Sequence, residues 1–263
     1  MSAIYRKDLR LYFSSLTTYI LLAIFLLSFG ILSSSFNLFM GYASLAFPLG
    51  YMTFLACVTI PLLSLFSSLR ERKSNSEKLF LSLPISPSSI VLGNFFSALT
   101  VILIPVLVIA LVPFLFLMWG TNALVISEMS VLGYFLLCAF LIALTQFIFS
   151  AVKRKWLAIT LAFSIPVILY AIHFILSLFY FEGILNIFAC LIDPLHYFYA
   201  LTYGAFDLPS LLYFITLISL FIILNICALL FSSCIAFFNA SLFIAFLNIV
   251  FILLLLEYFF IIS

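Results

Sequence analysis

Leu69-Arg-Glu-Arg-Lys-Ser-Asn-Ser-Glu-Lys-Leu-Phe-Leu-Ser-Leu-Pro84 runs on into Ile85-Ser-Pro-Ser-Ser-Ile-Val-Leu-Gly-Asn94. It is the one long charged stretch in a chain that is otherwise nearly all apolar. Arg70, Glu71, Arg72, Lys73, Glu77 and Lys78 make up a third of the charged side chains. Apolar runs of membrane length flank it on both sides, so it belongs in water between two spans. Behind the charges come Leu79, Phe80, Leu81 and Leu83, and the stretch stops at Pro84. This pattern predicts a short amphipathic helix near the membrane surface, with one face free for a partner. Such a surface is suited to receive mechanical work from another protein.

The composition excludes a water-soluble fold. Of 263 residues, 68% are hydrophobic and 7% are charged, against about 25% charged in soluble domains. A span needs about 20 apolar residues to cross about 30 Å of hydrocarbon. Runs of that length fall at 16–36, 44–66, 97–119, 131–152, 156–180 and 210–232, with a seventh at 238–260. The ten-residue alternation of a membrane β-barrel is absent. The predicted fold class is therefore all-α: a polytopic membrane helix bundle of six core transmembrane helices plus a seventh, C-terminal span.

The basic residues sort by position. Arg6, Lys7 and Arg10 precede the first run; Arg70, Arg72, Lys73 and Lys78 lie between the second and third; Lys153, Arg154 and Lys155 lie between the fourth and fifth. The connections of opposite parity hold Glu128, Glu182, Asp193 and Asp207 and no basic residue. By the positive-inside rule the N-terminus is expected in the cytoplasm. The basic residues are expected to meet anionic lipid headgroups, and nothing points to nucleic acid.

At the N-terminus, Tyr5, Leu9, Tyr12 and Phe13 share one helical face and Arg6, Lys7 and Arg10 the other. Residues 1–15 therefore read as an interfacial helix. The apolar run that follows is longer than a signal-peptide core, so no cleavage is expected. The first outer connection is read at 37–43. Pro48 and Pro61 are expected to kink the second span, while Ser86 and Pro87 form a helix start. The third helix should thus begin in water and run long, with Pro105 and Pro113 inside it. Between 180 and 209, Gly183, Pro194, Gly204 and Pro209 cut an aromatic-rich segment into pieces shorter than a span. Such pieces suit short external helices at the outer interface, where Tyr197, Tyr199 and Tyr203 would be favoured.

Chemistry-bearing groups are few. Gln146, His173, Asn239 and Asn248 fall inside apolar runs; each is read either as lining a pathway or as a packing hydrogen bond. His173 and His196 lack metal-ligand spacing and read as lone histidines. Five cysteines carry no Cys-x-x-Cys spacing, so neither a disulfide framework nor a metal site is expected. There is no phosphate-binding Gly-rich loop, no His-Glu-x-x-His and no Gly-x-Ser-x-Gly. The chain is not expected to be an enzyme or to hold a cofactor. Any active transport would draw its energy from another subunit.

Four places resemble the ABC-2 type permeases, above all the gliding-motility type. Residues 4–15, IYRKDLRLYFSS, resemble that family's K-E-L-x-x-Y-F-x-S opening. Residues 70–84, RERKSNSEKLFLSLP, resemble its E-E-R-x-x-G-T-x-E-L-L-L-T-L-P loop, and 85–95 its V-S-x-x-x-I-V-L-G-K-F continuation. Asp193-Pro-Leu-His-Tyr-Phe and Gly204-Ala-Phe-Asp-Leu-Pro-Ser-Leu-Leu-Tyr-Phe214 resemble its S-P-x-x-H-F and G-V-x-D-L-x-D-x-x-Y-F pieces. Asn75 stands where the family has Gly, and Arg70 replaces the first acid of its Glu-Glu pair. An apolar run follows Ser232 where the family commonly has a charged tail.

The resemblance implies a membrane subunit of an ABC exporter in the bacterial inner (plasma) membrane. Its partners would be a cytoplasmic ABC ATPase, which binds the ATP, and a second permease copy or paralogue. It also implies a division into residues 1–15 (interfacial helix), 16–232 (six-helix permease domain) and 233–263 (extra hydrophobic segment). Within the domain, 67–89 would be the cytoplasmic coupling loop and 180–209 the external short helices. ATPase coupling falls on Arg70, Glu71, Arg72, Lys73, Ser76, Glu77, Lys78, Leu79 and Pro84, with Gln146 and His173 as possible pathway residues. A non-transporting anchor of a motility or secretion machine is the alternative.

Overall fold

The computed structural model describes residues 2–41, 44–73, 87–114, 124–152, 154–178, 193–202 and 207–231. The seventh run, Asn239, Asn248 and the loop residues Ser76, Glu77, Lys78, Leu79 and Pro84 lie outside these. Among the described residues there are eight α-helices and no strand. They are α1 (Ser2–Phe13), α2 (Leu16–Ser33), α3 (Ala46–Lys73), α4 (Pro87–Ala110), α5 (Leu124–Ala151), α6 (Lys155–Leu178), α7 (Pro194–Thr202) and α8 (Leu208–Phe231). Six segments among the described residues are long and apolar enough to cross a membrane: Leu16–Phe39, Ala46–Phe66, Pro87–Phe114, Val125–Ala151, Lys155–Leu176 and Leu208–Leu229. The chain is an all-α, multi-pass membrane protein.

Helix α5 is the axis of the bundle. It packs against α3, α4, α6, α7 and α8, and 78% of its span is buried, against 11% for α6. Between apolar helices in lipid, close packing and buried hydrogen bonds hold the assembly rather than exclusion of water. Tyr134 Oη on α5 donates to the Met52 carbonyl on α3 at 3.2 Å. Eleven residues later on α5, Thr145 shares a 2.9 Å hydroxyl contact with Ser64. The second contact lies eleven residues further along α5 and twelve further along α3, so the two helices run parallel, as alternate spans of an up-and-down bundle must. Such bonds average about 0.6 kcal/mol in membranes, so they set register more than they add stability.

Two glycines permit close approaches. A Cβ on Gly133 of α5 would lie 3.1 Å from Leu201 Cβ, which lets α7 lie directly on the axis helix. A Cβ on Gly93 of α4 would meet Ile4 Cγ2 at 2.9 Å, and there α1 docks. Helix α7 accordingly buries Leu195, Phe198 and Leu201 against the bundle. Tyr197 stacks on Tyr213 of α8, ring centroids 3.9 Å apart.

Several boundaries differ from the sequence reading. Span 1 extends as a π-helix over Ser34–Phe39, and Asn37 Nδ2 then donates to the Ser44 carbonyl at 3.0 Å to close the hairpin. Helix α5 begins at Leu124, so Glu128 belongs to a helix rather than to a connection. Pro48 sits in the first turn of α3, where its missing N–H breaks no helical bond; Pro61 and Pro105 lie inside helices. Helix α4 begins at Pro87 as expected, but it ends at Ala110. The Pro113 ring would clash with the carbonyl four residues back, and a turn at Leu111 separates the two.

Candidate coupling surface and its supporting contacts

Contacts distribute the charges to two ends. Ile4 of α1 meets Gly93, near the start of α4. Gln146, near the end of α5, donates from Nε2 to the Asn94 carbonyl at 3.1 Å. Five residues beyond Gln146 the helix ends, and α6 begins at Lys155. Because α3 parallels α5, its C-terminal turn falls at this same end. Arg6, Lys7 and Arg10, the segment 70–73, and Arg154 with Lys155 therefore share one end of the bundle. At the other end Ser130 Oγ lies 3.5 Å from the Thr202 carbonyl; Glu128 stands two residues before Ser130 on α5, and Asp193 and Asp207 immediately precede α7 and α8.

Arg70, Glu71, Arg72 and Lys73 continue the helix of the second span without a break. They do not open a separate surface helix, as the sequence pattern had led one to expect. The apolar part of α3 ends at Phe66. At 1.5 Å per residue, the seven residues to Lys73 add about 10 Å beyond it. That projection is helical and continuous with a buried span.

Beside it lies α1, whose buried stripe is Ile4, Asp8 and Tyr12, while Arg6 and Arg10 are exposed. Of the face expected to be apolar, Tyr12 is buried, while Tyr5, Leu9 and Phe13 are only half-buried. Turning α1 onto Gly93 places Ile4, and with it the acid one turn on, against the bundle. Asp8 is 4% exposed, and its Oδ2 has no hydrogen-bond partner. Lys7 Nζ lies 3.6 Å from Oδ1. Burial pushes the Asp8 carboxyl above its ordinary 3.8, and the Lys7 ammonium draws part of that shift back. Sequence reasoning missed Asp8; its i, i+4 spacing from Ile4 and Tyr12 was the available signal.

At the opposite end His173 is not a lone histidine. Its Nδ1 lies 2.5 Å from Asp193 Oδ2, and its ring stacks on Tyr199 with centroids 5.0 Å apart. Asp193 Oδ1 accepts from the Leu195 N–H at 3.0 Å, the N-cap bond of α7 with Pro194 at the first helical position. In the sequence Pro194 read only as a break in the 180–209 segment, and the histidine 20 residues before Asp193 gave no sign of the contact. Gln146 and His173 thus each make a bond between elements. Among the described residues no group of His, Cys, Asp or Glu is arranged to hold a metal ion.

No family model matches the chain, and no curated protein is significantly similar to it.

Proposed function

We propose that the chain is the membrane subunit of an ABC-type exporter, driven by a separate cytoplasmic ATPase, with its N-terminus in the cytoplasm of a bacterial cell. One observation carries most of the weight. The charged stretch begins as an unbroken extension of α3, beside a basic helix docked on the start of α4. A helical projection continuous with a buried span is suited to pass displacement into the bundle, where a flexible loop would absorb it. The sequence carries no Gly-rich phosphate-binding motif, which fits a reading in which a partner supplies the energy. Three aligned basic segments support the cytoplasmic assignment of this end. The quoted motifs support the ABC-2 likeness, and a second permease copy or paralogue would complete the transporter.

The acids of the stretch give the test. Asp and Glu add little to topology, and an exposed ion pair with the neighbouring bases contributes about 0–1 kcal/mol. A desolvated pair with a partner's bases costs about 2–5 kcal/mol on truncation. Glu71→Ala and Glu77→Ala should leave insertion intact while lowering ATPase co-purification at least tenfold. Wild-type complex formation in both variants would sink the coupling role. ATPase stimulation by a defined substrate in the purified complex favours an exporter; a bound but unstimulated ATPase favours the scaffold.

A further inference from the structure

Among the described residues stand three free thiols: Cys57 on α3, Cys138 on α5 and Cys227 on α8. The first two are buried, 4% and 0% exposed, while Cys227 is half-buried. Buried cysteine ordinarily serves as a small hydrophobe, but the register of α3 and α5 gives this pair a second property. Ser64 on α3 and Thr145 on α5 meet at 2.9 Å through their hydroxyls. Cys57 stands seven residues before Ser64, and Cys138 seven residues before Thr145. Seven residues bring a helix back to the same face within about 20° and move about 10 Å along it. Because the two helices run parallel, both steps lead to one level of one seam. The bond from Tyr134 Oη to the Met52 carbonyl holds the seam on the far side of the thiols. Cys57 also lies near enough to Cys138 for the charge of one thiol to act on the other.

We propose that Cys57 and Cys138 form a redox latch, a thiol pair whose oxidation to a disulfide ties α3 to the axis helix. A disulfide needs Cα atoms about 4.4–6.8 Å apart. Ser, Thr and Cys are all short, and small residues at a seam let two backbones approach closely. The direct contact of Ser64 with Thr145 shows that approach two turns away. Cys138 is the central residue of the Val125–Ala151 span, and Cys57 lies near the middle of Ala46–Phe66. Both thiols are thus held away from water at either surface, so the matching oxidant is a lipid-soluble two-electron acceptor of the quinone class. Two S–H bonds break, one S–S bond forms, and the quinone takes up both electrons and both protons as the hydroquinone. Buried thiols are otherwise inert, so the exchange waits on an opening of the seam that admits the oxidant. Once formed, the bond joins the span that continues into Arg70–Lys73 to the helix against which five others pack. The latch needs no ATPase in order to close.

Disulfide trapping in the full chain tests the latch, with Cys190→Ser, Cys227→Ser and Cys234→Ser leaving only this pair. Diamide, a membrane-permeant diazene that is reduced to its hydrazine, takes the place of the quinone. In detergent micelles it should leave neither Cys57 nor Cys138 open to a maleimide after denaturation, and dithiothreitol should restore both. Cys57→Ser or Cys138→Ser should abolish the internal bond. Ser64→Cys with Thr145→Cys, in a chain without the native cysteines, shares the seam and should close at a rate within about threefold. Ser64→Cys combined with Cys138 is two turns out of level and should close at least about tenfold more slowly. Oxidation of the native pair should slow hydrogen exchange in α3 and α5 by about tenfold, and reductant should reverse it. Three results would overturn the latch: a Cys57–Cys138 pair that stays reduced, equal rates for the out-of-level pair, or exchange that oxidation leaves unchanged.

Discussion

His173 on α6 and Asp193 at the start of α7 meet at 2.5 Å, and the same carboxylate caps α7 through the Leu195 N–H. One side chain therefore both starts a helix and ties it to the most peripheral span. Because α7 also lies on Gly133 of the axis helix, the tie fixes the C-terminal end of α6 to the bundle centre.

Loss of this carboxylate should cost more than loss of either contact alone. Asp193→Ala removes a cap worth about 1 kcal/mol as well as the histidine contact. In a double-mutant cycle with His173→Ala, a coupling of about 0.5–3 kcal/mol is expected for residues in contact. Thermal unfolding in detergent reads this out. Additive single effects would mean that the two groups are neighbours without an energetic link.

Gly93→Ala should loosen α1. The added Cβ meets Ile4 Cγ2 at 2.9 Å, and overpacking of that kind costs about 1–3 kcal/mol. Hydrogen exchange across residues 4–13 should rise, and Ile4→Ala in the same chain should restore much of the protection. Faster exchange that Ile4→Ala does not repair would place the strain elsewhere.

Docking of α1 should weaken as pH rises. Asp8 is raised above 3.8 by burial, its largest influence, with Lys7 opposing. A carboxyl whose folded value lies above its unfolded value favours the docked state while protonated. That contribution is full below the unfolded value and is lost as pH climbs through the folded one. Asp8→Asn should flatten the pH dependence of α1 protection and raise protection at neutral pH. An unchanged slope in Asp8→Asn would assign the effect to another group.

The two ends of the bundle should label from opposite sides. With the native cysteines removed, Asn75→Cys and Arg154→Cys should react from the cytoplasm. Met40→Cys, at a position 64% exposed in the first hairpin, should react from outside. External labelling at position 75 would reverse the orientation and remove the ATPase surface from the reach of any cytoplasmic partner.

A C-terminal reporter active only in the cytoplasm bears on the run at 238–260. If that run spans, an N-terminus inside puts the C-terminus outside, and the reporter should be silent. Full activity would lay the run on the inner surface.

Legibility followed the range of the forces involved. The all-α class, the six spans and the start of α4 at Pro87 are local properties: apolar length against the thickness of hydrocarbon, and proline geometry at a helix start. The sequence could reveal those by itself, and likewise the sorting of basic residues into alternate connections. It could not reveal which helix is the axis. In a soluble helix the buried face differs from the wet one, but here nearly every face is apolar, so hydropathy carries no contrast between protein-facing and lipid-facing sides. For that reason the centrality of α5, the inward turn of Asp8 and the meeting of His173 with Asp193 were decided only by tertiary packing. Each depends on shape at a contact, a glycine that lets a backbone approach or a carboxylate within reach of a ring, between residues that hydropathy treats alike.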